Sequence, residues 1–196
     1  VYEDAKKYCQ KLIDLATDNY EKVTYQLKMA TILKRLNDSE NSEKIYLELI
    51  HLSGQDSWLL KEVVYQFEAI YRGKDNLVDL IKKYEEIIKA NPQNVYLRKR
   101  YSSLLSEKGE KELAIAEFKT IVELLPGDRS IKEEYAGLLI SNDKSPDAIK
   151  ILEAFANPKT GSKDYEIILS IADLEFKIKK VNEAHQWLQQ FLGKPD

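Results

Sequence analysis

The feature that most constrains this chain is a spacing of 34 residues. Pro92 and Pro126 stand 34 apart, and so do Ala114 and Ala148. From Asn94 to Pro126 the apolar residues recur three and four apart: Leu97, Tyr101, Leu104 and Leu105, then Leu113, Ala114, Phe118, Ile121 and Val122. That period predicts two amphipathic helices broken near Gly109. A unit this short buries its apolar face by stacking on another of its kind, so the chain reads as an array of helix pairs.

The other units keep the register. Ala136, Ala148 and Leu152 mark the next one, with Leu in the place of Phe118. Asp128 and Ser130 are candidate caps of its first helix, Ser130 and Glu133 having capping-box spacing, and Ser145-Pro146 opens its second helix with Ser as N-cap. Ala172, Ala184 and Leu188 mark a further unit, offset by 36, which lengthens the loop Asn157 to Lys163 by about two residues. Upstream, Tyr84 and Pro92 hold the aromatic and closing sites, while Leu80 replaces Ala and Glu68 the small residue. Before that stand Met29, Ala30 and Tyr46, with Ser42 in the Ala site and an insertion at His51 to Ser57. Ala5 and Leu12 suggest only a second helix. The expected division is a half repeat at 1–20, then 22–56, 58–92, 94–126, 128–158 and 163–194, about five units and roughly eleven helices. The last helix offers Trp187, Leu188, Phe191 and Leu192 with no polar cap after it, and Pro195 stands where a closing Pro belongs. The expectation is a fragment of a longer array, able to self-associate through uncapped ends.

These positions resemble the tetratricopeptide-repeat (TPR) family. Its motif has a small residue late in the first helix, Gly or a polar residue at the turn, then Ala, an aromatic four later and a closing Pro. Ser102, Gly109, Ala114, Phe118 and Pro126 match it in turn. Small residues let backbones approach, the aromatic fills the crossing, and Pro cannot extend a helix. The resemblance covers nearly the whole chain. It implies an all-α fold, a right-handed α-solenoid of antiparallel helix pairs. It also implies a non-enzymatic scaffold that binds a partner protein or peptide in a concave groove. The alternatives are a regulatory or targeting domain of a larger enzyme and an RNA-associated repeat, the latter suggested by Arg98-Lys99-Arg100 between Tyr96 and Tyr101.

Composition narrows the chemistry. A net charge of −3 argues against wholesale nucleic-acid binding, and no apolar run approaches a membrane span. The single cysteine, Cys9, excludes an intrachain disulfide and slightly favours a cytoplasmic setting, although a periplasmic one fits as well. His51 and His185 have no metal-ligand spacing, and Cys9 falls on an aromatic site with no histidine placed to activate it. Ser141-Asn142-Asp143-Lys144 and Lys159-Thr160-Gly161 copy two short serine β-lactamase motifs, but they lie in turns of one helical repeat with no strand nearby. No catalytic residue, cofactor, metal or small-molecule substrate is expected. Asn37-Asp38-Ser39 fits a glycosylation sequon and reads better as a helix cap.

In the family, the first helices line the groove. In register, its basic and aromatic part holds Lys28, Thr31 and Arg35, then Tyr65, Gln66 and Arg72, then Tyr96, Lys99, Arg100 and Ser103. An acidic part follows, with Glu133, Glu134, Gly137, Glu166 and Asp173. Lys28, Arg35, Tyr65, Arg72, Tyr96, Lys99, Arg100 and Ser103 are the expected partner-binding residues, suited to an acidic or phosphorylated segment. Some family members clamp a C-terminal carboxylate with asparagines. Thr31, Ala69, Ser103 and Gly137 stand at the equivalent groove position here, which argues against that mode.

Overall fold

The computed structural model describes residues 1–54, 57–72, 76–154, 156 and 162–192, apart from the side chains of 162–164, 190 and 191. Among them are eleven α-helices and no strand. The chain divides into two compact units. Val1–Lys108 holds α1 (Tyr2–Leu15), α2 (Asn19–Arg35), α3 (Ser39–Leu52), α4 (Trp58–Arg72), α5 (Leu77–Ala90) and α6 (Val95–Lys108). Gly109–Asp196 holds α7 (Lys111–Leu124), α8 (Arg129–Ser141), α9 (Ser145–Glu153), α10 (Ser162–Lys177) and α11 (Val181–Leu192). Within each unit every helix packs on the next in sequence.

The residues that set the period form the core. Ser42, Leu80, Ala114, Ala148 and Ala184 share one position of the second helices, and all are 0% exposed. Ala30, Glu68, Ser102, Ala136 and Ala172 share one position of the first helices and are also buried. Tyr46, Tyr84, Phe118 and Leu152 fill the crossing, each side chain contributing about 1.5–3 kcal/mol by leaving water. Where a polar residue takes a small-residue site, it finds a bond. The Ser42 hydroxyl donates to the Ala30 carbonyl at 2.7 Å.

Four of the described turns share one backbone device. Asn37, Gly109, Asp143 and Lys179 all have positive φ, between 61° and 88°. Gly adopts this region freely and Asn or Asp tolerate it, whereas at Lys179 the conformation costs about 1–2 kcal/mol. Helix starts follow capping chemistry. Asp18 accepts from the Glu21 amide at 2.8 Å, Asp38 from Asn41 at 3.4 Å and Asp128 from Ile131 at 3.1 Å. Two expectations are corrected here. Asp128, not Ser130, caps α8; and α9 starts at Ser145 itself, after Lys144, so Ser145 is inside the first turn with Pro146 rather than at the cap. The loop expected to be longer, 157–163, lies almost wholly outside the described residues, as do Pro195 and the Phe191 side chain.

Candidate functional site

A polar network in the first unit is built on Glu68, the residue that breaks the small-residue rule. Its carboxylate is 4% exposed and accepts three bonds. The buried Tyr84 hydroxyl donates at 2.7 Å from α5. From α6, Arg100 donates through Nε at 3.0 Å and Nη2 at 2.5 Å. Arg72 Nε stands 3.8 Å away, while its Nη1 and Nη2 donate to Glu107 at 3.0 Å each. Two arginine forks thus tie α4 to α6, the geometry in which charge-assisted bonds are strongest. Hydrogen bonding to Glu68 raises the Arg100 pKa, and hydrogen bonding to Glu107 raises that of Arg72. The Arg72 fork holds the Glu107 carboxyl below its ordinary value. Burial, reinforced by Glu68, pushes the Tyr84 hydroxyl well above its ordinary pKa.

The expected partner-binding residues separate into groups around this network. Tyr96 is half-buried between the influences of Arg100 and Lys61, with burial raising its hydroxyl pKa. Tyr65 is 68% exposed, Ser103 is exposed and Lys99 is half-buried. Arg72 and Arg100 belong to the same face, but their charges are met inside the fold. Lys28 and Arg35 interact elsewhere. The Arg35 guanidinium lies 5.8 Å from the Tyr2 ring and donates to its hydroxyl at 3.2 Å, while the Lys28 ammonium lies 5.8 Å from the Tyr25 ring. Sequence reading missed the role of Glu68, Tyr84 and Glu107. The available signal was charge of opposite sign about one repeat apart, Glu68 with Arg100 and Arg72 with Glu107.

The second unit has a different first-helix face. A hollow of about 610 Å³ lies between α8 and α10, over Ala136, Gly137 and Ile167, with Glu133 and Glu166 on its rim. Gly137 lines it, and a Cβ there would meet nothing within 4 Å. Arg129 Nε donates to Glu133 at 2.9 Å, so one of the two rim acids is paired. Of the acidic residues expected on this face, Glu134 and Asp173 do not line the hollow, and Asp173 pairs with Lys177 at 2.7 Å.

Comparison with known proteins turns on shape. No protein-family model matches the chain, and no curated protein matches it in sequence. Solved structures do match. MamA from Desulfovibrio magneticus RS-1 superposes with a TM-score of 0.51 at 12% identity, over 90% of this chain and 96% of that one. YrrB, a TPR protein with an unusual peptide-binding site, superposes with a TM-score of 0.51 at 16% identity, over 98% and 91%. A Podosopora anserina protein with nearly identical TPR-like repeats gives 0.53 at 12% identity, over 87% and 93%. The chain has a TPR-like helical-repeat fold.

Within these TPR-like repeats, the residues that imitate catalytic motifs have ordinary structural partners. The Ser141 hydroxyl donates to the Leu138 carbonyl at 2.9 Å, and the Lys144 ammonium to Glu112 at 2.6 Å. Lys159-Thr160-Gly161 lies outside the described residues. His51 Nδ1 meets the Asn91 amide at 3.1 Å, and His185 meets the Phe176 ring edge-on at 5.5 Å. The Cys9 thiol is buried against the Tyr25 carbonyl at 3.3 Å, and burial raises its pKa, which lowers its nucleophilicity. Among the described residues no cluster of His, Cys, Asp or Glu is arranged to hold a metal, and no helix is long and apolar enough to cross a membrane.

Proposed function

We propose that the chain is a non-enzymatic interaction scaffold that binds a segment of a partner protein on its first-helix faces, above all that of α4 and α6. The observation that carries this reading is Tyr65. It is a large aromatic left 68% exposed on α4, one of the two helices that the Glu68–Arg100 pair holds together. A rigid exposed aromatic beside fixed polar groups is the composition of an interface anchor, because it offers contact area at little cost in side-chain entropy.

The segment it takes is acidic or phosphorylated. Lys99, Arg72 and Arg100 supply the positive charge of this face, the two arginines also presenting guanidinium planes. Tyr96 and Ser103 add apolar contact and a hydroxyl. Similarity to YrrB, a TPR protein with a peptide-binding site, is in keeping with a peptide as the occupant.

An array of acidic and phosphorylated peptides, each beside its neutral counterpart, tests the reading. Binding should favour the charged members and weaken about tenfold or more in Tyr65→Ala/Lys99→Glu. It should be nearly unchanged in Lys82→Glu, on α5, where Lys82 pairs with Asp79 at 3.3 Å. Arg100 is unsuited to this comparison, since removing it strands the buried Glu68 carboxylate. No preference for charge, or equal losses in the two variants, contradicts the proposal.

A further inference from the structure

The hollow between α8 and α10 lies where the residues of the second unit differ from their counterparts in the first. Between α4 and α6, Arg100 reaches across to the Glu68 carboxylate. Two repeats on, Ala136 takes the position of Glu68 and Ser170 that of Arg100, and both line the hollow. Neither spans it. Ala136 has only a methyl group, and Ser170 Oγ donates to the Glu166 carbonyl of its own helix at 2.8 Å. The floor is small and apolar, formed by Ala136, Gly137 and Ile167, and at about 610 Å³ the space admits a long side chain with the backbone that carries it. The rim is acidic. Arg129 meets Glu133 at 2.9 Å, while Glu166 is exposed and makes no ion pair among the described residues. One arginine against two glutamates leaves the lining negative. The whole unit agrees in sign: residues 109–196 carry 12 Lys and Arg against 16 Asp and Glu, whereas residues 1–108 carry 18 against 17.

We propose that this hollow is a docking site for an arginine side chain carried on a segment of a partner protein. The arginine methylenes lie along Ala136, Gly137 and Ile167, and the guanidinium turns to the Glu166 carboxylate with Glu133 beside it. Arginine suits the place better than lysine, because its planar head is more weakly hydrated and packs flat on a floor of small residues. An acidic or phosphorylated segment would meet two carboxylates here, so this site selects the opposite charge from the α4–α6 face. It goes beyond the function proposed above and stands whether or not that face binds a peptide.

The probe is the end-capped peptide Gly-Ser-Leu-Arg-Leu-Ser-Gly, compared with the same peptide carrying citrulline, which keeps the shape of arginine and removes its charge. Titrated into the isotope-labelled 196-residue chain, the arginine peptide should shift amide resonances around Gly137, Ile140 and Ile167 and bind about fivefold more tightly than its counterpart. Glu166→Gln should abolish that advantage, weakening the arginine peptide and leaving the citrulline peptide unchanged. Glu123→Gln, which removes an equal charge from the exposed side of α7, should preserve it. Gly137→Leu should weaken both peptides about tenfold or more by filling the hollow. It should not lower the melting temperature, because a Cβ at position 137 meets nothing within 4 Å and Leu favours a helix over Gly. Four results overturn the proposal: no shifts at millimolar arginine peptide, equal binding of the citrulline peptide, an advantage that survives Glu166→Gln, or capped arginine alone binding as tightly as the peptide, which would assign the hollow to a small cation.

Discussion

Replacing Glu68 by Ala separates two accounts of the same site. The equivalent residues Ala30, Ala136 and Ala172 are small, so packing alone predicts a neutral or stabilising change. The hydrogen-bond network predicts a loss. The Tyr84 side chain is 0% exposed, and leaving its hydroxyl without an acceptor costs about 1–3 kcal/mol. Arg100 also loses its carboxylate. Breaking a fully buried pair costs about 3–5 kcal/mol, but the Arg100 side chain is 35% exposed, so water recovers much of that. Together these give a loss of about 3 kcal/mol for Glu68→Ala. Arg100→Met should cost at least as much, because it strands a carboxylate that is 4% exposed. The double variant should lose at least about 1.5 kcal/mol less than the sum of the two, since neither charge is then left alone. Urea unfolding followed through Trp58, on the same helix as Glu68, in a Trp187→Phe background reports on the first unit. A Glu68→Ala protein within about 0.5 kcal/mol of its parent, or additive losses, would refute the network as a source of stability.

Three further outcomes are expected. Phe118, 8% exposed and stacked on Tyr135 at 6.0 Å, should lose about 3–5 kcal/mol on replacement by Ala, seen by Trp187 fluorescence before Trp58 responds. Glu175 is 3% exposed at the position of Leu105 and Leu139, with Oε2 lacking a hydrogen-bond partner; burial, then Glu153, raises its pKa. Its ionisation therefore destabilises the α10–α11 pair as pH rises through the raised value. Glu175→Leu should gain about 1–3 kcal/mol at pH 7 and less near pH 4, and a gain independent of pH would contradict this. Lys179→Gly should gain about 0.5–1 kcal/mol in thermal melts by relieving a φ of 65°, and Asp143→Gly less, since Asp tolerates that region.

The legible part of the fold was what recurs. Ala114 and Ala148, 34 residues apart, are both fully buried, because the same helix crossing needs the same small volume each time. The unreadable part depended on which long side chains find one another. Glu68 looked like a poor match to a small-residue site, and its two partners lie 16 and 32 residues away on different helices. Arg72 and Arg100 were legible as cations of the first-helix face. Their pairing with Glu107 and Glu68 was not, because a helical period shows which way a side chain faces and not whether its charge is already met. The exposure of Leu12 on α1 was legible in part, since Ala5 and Leu12 read as a second helix without its first.

The claim that the first-helix face binds the partner is tested most directly by photo-crosslinking from single positions. A photoreactive side chain at position 65 or 103, on α4 and α6, is compared with one at position 82 or 89, on α5, against an acidic or phosphorylated peptide retained by the array. All four residues project from exposed sites, so accessibility does not distinguish them. The account predicts adducts from 65 and 103, competed by unlabelled peptide, and none that are competed from 82 or 89. Competed adducts from 82 and 89 alone, or equally from all four, would contradict it.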